Sequence, residues 1–372
     1  MNESTRAALK LHDYIFNTHW NGNALIGPDP EVRFNARIWR FPKSYLRSFP
    51  WRDDRYFLQC QGYWIRDNWK LYSLFRDEKY KTIALTCSQK ILTNQQPGGY
   101  WEYPLPQWKE RIATVEGNYA ALGLLASYNQ TREQSFLEGA LRWYNFLIKQ
   151  TGFQTLKDTL AISYFSGQGR GGMVPNNSTL TLEFFAELYR NTQDEKYLAY
   201  CREMVKFLKT SQLNTGELPY ALQTPWDKGK THFLCFQYNA FQFLDLARYW
   251  EMTRDETVYE LLKNLIRYLV SGLHEKGHAK YDCRKSYPEV TYYTAVLGAA
   301  FLKATKIGLG DYTLFEDKAY HHLLKKQNMK GGFIYSNCNY GIFHDKRSYP
   351  RYLAMILLHL LMKAESSNSE GL

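Results

Sequence analysis

The chain has 372 residues, 45% hydrophobic and 16% aromatic, with 47 Lys and Arg against 36 Asp and Glu for a net charge of +11. That apolar fraction supports a packed core and excludes a disordered chain, and no stretch approaches the 18 uncharged apolar residues of a membrane-spanning helix. The positive balance suits an anionic ligand, but no Lys/Arg run is long enough for a nucleic-acid arm and no nucleic-acid-binding signature is present, so no nucleic-acid partner is expected.

In chain order, residues 4–19 carry an amphipathic helical pattern. Two alternating helix sets follow. The first, at about 77–95, 133–150, 194–211, 255–273 and 311–327, starts with carboxylates (Asp77-Glu78, Glu133, Asp194-Glu195, Asp255-Glu256, Asp311) that complement the helix dipole. It is rich in Lys and Arg, as an outer layer should be. The second, at about 56–75, 116–129, 176–191, 234–252, 291–306 and 349–364, is apolar nearly all round and carries small residues, as in Tyr119 to Ala126 and Tyr293 to Ala300. Such helices are buried on most sides.

A repeat of about 55 to 65 residues underlies this alternation. Each outer helix ends in a glycine followed by an aromatic: Gly99-Tyr100, Gly152-Phe153, Gly216 with Tyr220, Gly277 with Tyr281, and Gly332-Phe333. With residues 4–19 as the sixth outer helix, the count predicts an all-α (α/α)6 toroid, one domain over 1–372, whose ends meet to seal the ring. The links from outer to inner helices are long, at about 20–55, 96–115, 151–175, 212–233, 274–290 and 328–348. Long loops on a rigid scaffold concentrate function, and these six deliver inner-helix N-termini, which favour anions.

The repeat, and in particular Asn176 to Tyr197 with its Leu188-Tyr-Arg-Asn-Thr-Gln-Asp-Glu-Lys-Tyr197 turn, resembles the six-hairpin toroid superfamily: glycosidases, unsaturated-uronate hydrolases and glucuronyl epimerases. The resemblance covers nearly the whole chain and implies a carbohydrate-active enzyme. More distant toroids fit less well. There is no Asp-x-Asp-Asp of class II terpene cyclases, Asp282 and Cys283 are adjacent where prenyltransferases space their zinc ligands, and the Cys-His-Gly motif of lanthionine cyclases is missing.

The long loops hold the candidate chemistry. Glu102, Glu116 and Asp282 are the carboxyls available for a glycosidic acid and base, which act about 5 to 9.5 Å apart. Glu116 equally fits a helix-start carboxylate, and Asp282 a partner for Arg284. Tyr238 and His232, with amides such as Asn239, offer the alternative of proton transfer at a uronate carbon. Arg170, Arg284, Arg347 and Arg351 are candidate anion ligands, joined by Arg33, Arg37, Arg40 and Arg52. Trp64, Trp101 and Tyr335 can stack on sugar rings. Six cysteines without a CxxC pair read as reduced and buried, so no metal and no cofactor are expected. The N-terminus lacks an apolar signal core, which predicts a cytoplasmic protein.

The expected function is action on an anionic, uronate-containing glycan, by hydrolysis first and by β-elimination or C5 epimerisation next. A terpene or prenyl cyclase with an aromatic cavity is the second alternative. A non-catalytic toroid binding a glycan or a protein is the third.

Overall fold

The computed structural model describes residues 2–29, 54–104, 110–167, 169–337, 345 and 347–369. The inner helices are α2 (Leu58–Phe75), α4 (Thr114–Thr131), α6 (Pro175–Thr192), α8 (Cys235–Thr253), α10 (Thr291–Lys306) and α12 (Pro350–Ser369). The outer ones are α1 (Glu3–His19), α3 (Glu78–Thr93), α5 (Gln134–Phe146), α7 (Cys201–Ser211), α9 (Glu256–Val270) and α11 (Thr313–Leu324). Each inner helix packs on the next, and α12 packs back on α2, closing the ring; each outer helix covers one inner helix, with α1 on α12. The fold is the (α/α)6 toroid that the repeat predicts.

Local chemistry sets the hairpins. Asp77, Asp194 and Asp255 cap the helical turns that follow them by accepting from the backbone N–H two residues on. Each follows a residue in the left-handed conformation (Arg76, Gln193, Arg254) that ends an inner helix and reverses the chain in a short turn. Among the inner helices α10 shows no exposed face over most of its length, being buried at every position from Thr291 to Leu302. Each fully buried Phe or Leu there contributes roughly 1.5–3 kcal/mol. Close helix approach needs glycine at Gly62, where an added Cβ would lie 2.3 Å from the Tyr119 carbonyl oxygen on α4.

The recurrent glycine has a specific job. At Gly99, Gly216, Gly277 and Gly331 the backbone has positive φ and presses on a carbonyl of the next outer helix, so that a Cβ would sit 2.2 Å from Asn264 O at Gly216 and 2.3 Å from Lys10 O at Gly331. Four residues earlier a glutamine clamps three of these turns. Gln95, Gln212 and Gln327 each donate to their own glycine's carbonyl and to a carbonyl of the next outer helix (Gly139, Leu261 and Ala7), at 2.8–3.1 Å. The third of these joins the two ends of the chain. His19 adds a second tie, its Nε2 2.6 Å from the Ser348 hydroxyl just before α12.

Three local features differ from the sequence expectation. The outer helix expected over 194–211 is broken into a 3-10 turn at Glu195–Leu198 and α7. The helix expected to reach 150 ends in a π turn, Leu147–Thr151, closed by the Gly152 N–H on Leu147 O at 2.8 Å. The long loops carry two small antiparallel ribbons, β1 (Phe153–Leu156) with β2 (Thr159–Ile162), and β3 (Glu289–Val290) with β4 (Ser336–Asn337). Among the described residues no helix is long and apolar enough to cross a membrane.

Candidate functional site

All six inner helices begin at the long-loop end, and their first turns surround one central cavity of about 80 Å³. Gln59 comes from α2, Val115 and Tyr119 from α4, Asn176 and Asn177 from α6, Gln237 and Tyr238 from α8, Tyr292 from α10, and Arg351 and Tyr352 from α12; Tyr164 and Tyr220 reach in from loops. The lining is therefore six tyrosines, four amides and one arginine beside a few apolar groups, and no carboxylate is among the described lining residues. Six helix N-termini aimed at one space give it a positive field without a large count of charged side chains.

Two of the amides are poised for a ligand. Asn177 is 1% exposed, yet neither its side-chain oxygen nor its nitrogen has a hydrogen-bond partner, and Gln237 Oε1 is likewise unpartnered. Buried polar groups in native proteins are nearly always satisfied, so these atoms suit a polar occupant. Burial, with Tyr352, Tyr335 and Tyr238 close by, pushes the Tyr292 phenol well above its ordinary range and keeps it protonated.

Arg351 organises the wall between α12 and α2. Its Nε lies 2.8 Å from Asp29 Oδ2 and its Nη2 donates to Asp29 Oδ1 at 2.9 Å. Nη1 donates to Gln59 Oε1 at 3.0 Å, and Nη2 also to the Tyr352 phenol oxygen at 2.7 Å. Asp29 is 1% exposed and Arg351 5%, so this is a buried ion pair whose remaining donors hold cavity-lining side chains.

The structure gathers the predicted residues unevenly. Tyr238 and Arg351 border the cavity. Glu116 is buried one turn away, where its Oε2 accepts from the Gln59 backbone N–H at 3.0 Å and so caps the neighbouring α2. Glu102 is exposed and Asp282 partly exposed, and neither borders the cavity. Asp282 Oδ1 accepts from the Arg284 and Lys285 backbone N–H groups at 2.8 and 2.9 Å, closing a turn that leaves the Arg284 side chain exposed. None of the three expected carboxyls is therefore among the described residues that line the cavity.

Trp64, fully buried, stacks on His12 between α1 and α2 at 4.7 Å. Trp101 donates to Ile91 O at 2.9 Å beneath the next hairpin. Both are packing residues away from the cavity, because their rings satisfy helix–helix contacts. His232 pairs with buried Glu217 at 3.0 Å. Asn239 holds the Leu218 backbone N–H at 2.8 Å and its carbonyl at 3.1 Å, fixing the loop 212–234 to α8. Arg170 lies over the Trp226 ring at 4.9 Å on the exposed rim. Tyr335 packs on Tyr352 at 5.3 Å and Arg347 lies over Tyr349 at 5.7 Å, both just beside the cavity. Arg33, Arg37, Arg40, Arg52 and Cys338 lie outside the described residues.

Gln59, Asn176, Asn177, Tyr292 and Tyr352 were not singled out by chemistry, yet a positional signal was available. Each sits in the first turn of an inner helix after a long loop. A larger cleft of about 360 Å³ opens at the short-loop end, but its charges neutralise one another: Lys70 with Glu365 at 2.5 Å, Arg190 with Glu187 at 2.6 Å, and Arg66 and Arg248 on Glu183. Away from both, His278, Glu289 and His322 place their ligating atoms within 4.8 Å of one another.

A closed double ring of helices around a polar cavity at the inner-helix N-termini defines this protein as an (α/α)6 toroid. No family model matches the chain, and no curated protein matches it. Solved structures do. Cellobiose 2-epimerase from Bacillus thermoamylovorans superposes with a TM-score of 0.74 at 13% identity, covering 97% of this chain and 99% of that one. A possible GH105-family member from Salmonella enterica gives 0.73 at 14% identity, covering 99% and 95%. The GH76 α-mannanase of Bacteroides thetaiotaomicron gives 0.70 at 13% identity, covering 99% and 97%. At these identities the likeness is one of fold, and it agrees with the six-hairpin resemblance read from the repeat.

Proposed function

We propose that the chain is a carbohydrate-active enzyme that moves a proton on an anionic, uronate-containing glycan, by β-elimination or C5 epimerisation in preference to hydrolysis. The observation that carries this reading is the cavity lining: phenols, amides and an arginine under six helix N-termini, with no carboxyl pair among the described lining residues. Hydrolysis by two carboxyls requires such a pair flanking the bond.

The assignment of roles follows from the contacts. The sugar carboxylate is held by the helix N-termini and by the Asn177 side-chain N–H, while Gln237 Oε1 accepts from a sugar hydroxyl. Tyr352, as a phenolate stabilised by the Arg351 N–H, takes the C5 proton. The electron pair left on carbon spreads into the carboxylate, where amide donors stabilise it. In elimination that pair then forms the C4–C5 double bond and expels the C4 oxygen, which receives a proton from Tyr238. In epimerisation the Tyr238 phenol instead delivers its proton to C5 from the opposite face.

The small cavity volume favours one second reading. About 80 Å³ is well under the several hundred usual for a ligand pocket, which suits a toroid that only binds the end of a glycan. The same size and polarity speak against an isoprenoid cyclase.

Incubation with a panel of uronate glycans in D2O, followed by mass spectrometry and ultraviolet absorbance, tests the proposal. An unsaturated product identifies elimination, and deuterium at C5 without chain cleavage identifies epimerisation. Tyr238→Phe and Tyr352→Phe are expected to cut turnover about 10²–10⁴-fold, while Glu102→Gln and Asp282→Asn stay near wild type. Saturated hydrolysis products would overturn the proposal, and binding without turnover would leave the second reading.

A further inference from the structure

We infer that His278, Glu289 and His322 form a binding site for one divalent transition-metal ion of the zinc class, on the outer wall where the loop after α9 meets α11. The three ligating atoms lie within 4.8 Å of one another and come from three segments: the loop, β3 and α11. Zinc bonds to nitrogen and oxygen at about 2.0–2.2 Å, so a modest side-chain contraction brings them to tetrahedral spacing, with the fourth position left to water. Two imidazoles and one carboxylate suit zinc and its neighbours rather than magnesium or calcium.

Four further observations point to a cation. His278 is 1% exposed, and neither ring nitrogen has a hydrogen-bond partner. Leaving such a group unsatisfied costs about 1–3 kcal/mol. His322 Nδ1 lies 2.8 Å from Lys276 O and must donate there, which turns Nε2 toward Glu289 Oε1 at 2.6 Å. That edge is closed either by a second ring proton or by a cation shared with the carboxylate. Asn337 donates to Glu289 Oε2 at 3.2 Å, the kind of outer contact that orients a ligating carboxylate.

The repeat supplies the fourth observation. At Gly277 the clamping glutamine of the other turns is replaced by Leu273. The equivalent pair of side chains, one after the glycine and one on the next outer helix, is Tyr100 packed on Phe146 at the first turn, ring centroids 5.0 Å apart. At this turn it is His278 with His322, rings 5.5 Å apart. The one junction of the four that lacks the glutamine clamp is the one furnished with metal ligands. A bound ion would fasten the loop and β3 to α11 there, just before α10 delivers Tyr292 to the cavity.

Lys326 Nζ lies 3.2 Å from Glu289, and with 24% of its side chain exposed on a flexible stem it has room to turn outward for an ion.

The test is to strip the purified full chain with a chelator and titrate Zn²⁺ by calorimetry, then Co²⁺ by its visible spectrum. The expected result is one ion per chain, a rise in Tm on adding Zn²⁺, and Co²⁺ bands of tetrahedral intensity. His278→Ala and Glu289→Gln should each weaken binding about 100-fold or more. His278→Phe, which keeps a ring packed against His274 but has no ligating nitrogen, should lose the ion while its Tm after chelation stays near that of the wild type, and Lys326→Ala should tighten binding. A wild type that takes up no more Zn²⁺ than the protein with all three ligands replaced overturns the proposal. So does binding undiminished by His278→Ala and Glu289→Gln. Either result would leave a plain Glu289–His322–Lys326 ion-pair network.

Discussion

Arg351 donates to the phenol oxygen of the residue that follows it, Tyr352, at 2.7 Å, while the same guanidinium is paired with buried Asp29. Pro350 starts α12, and both side chains border the central cavity from its first turn. A guanidinium N–H at that oxygen stabilises negative charge developing on it. Arg351→Lys keeps the charge but loses the planar fork. It is therefore expected to reduce turnover on a uronate glycan at least tenfold and to lower Tm by less than removing the charge does, measured by steady-state kinetics beside a thermal melt.

Asp29→Asn should be more harmful to the fold than to any surface property. It removes the carboxylate charge that the Arg351 guanidinium faces at 2.8 Å, and breaking a buried pair typically costs about 3–5 kcal/mol. Replacing both partners, Asp29→Leu with Arg351→Met, should recover most of that loss, because well-packed apolar pairs avoid the desolvation penalty. Denaturant melts of the two single variants and the double variant measure the coupling, and additive losses would show that the pair is not the cause.

The architecture was legible because it is periodic. Glycine at the outer-helix ends and Asp or Glu at the outer-helix starts recur at fixed spacing, and the structure shows why: one presses on the next outer helix and the other caps a turn. The alternation of long and short links also located the end where the inner helices begin. Individual chemistry was less legible, because residue type alone does not say which way a side chain leaves its element. Glu102 and Asp282 are acidic residues beside aromatics, yet one faces solvent and the other closes a backbone turn. Trp64 fills a helix–helix seam that no loop pattern reveals. Counting from each inner-helix start would have selected Gln59, Asn177, Tyr292 and Tyr352. No sequence motif joins His278, Glu289 and His322; only the folded ring brings them together.

The glycine that closes the ring gives a sharp stability test. A Cβ at Gly331 would lie 2.3 Å from Lys10 O, whereas one at Gly308, also at positive φ, would meet nothing within 4 Å. Both substitutions to alanine incur backbone strain, but only Gly331→Ala must push its turn away from α1. It is expected to cost about 1–3 kcal/mol more than Gly308→Ala, read from urea midpoints at equal m-value. Equal losses would mean that the contact with α1 yields without cost.

His19 should make the ring closure sensitive to acid. Burial lowers its imidazole to about 4, against an ordinary 6.5, while the Ile26 carbonyl at 3.3 Å opposes that shift. The unfolded chain therefore binds a proton at His19 between about pH 6.5 and 4 that the folded chain refuses. With more protons on the unfolded state, stability rises with pH through this window: the contribution is complete above about 6.5 and falls away toward 4. Between pH 7 and pH 5 the loss from this one group amounts to about 2 kcal/mol. His19→Gln keeps a side-chain amide able to reach Ser348 but cannot take up the proton. The unfolding free energy of the variant should consequently drop by about 2 kcal/mol less than that of the wild type over the same interval, measured by urea denaturation at both pH values. Parallel pH dependence in the two proteins would show that His19 titrates alike in the folded and unfolded chains.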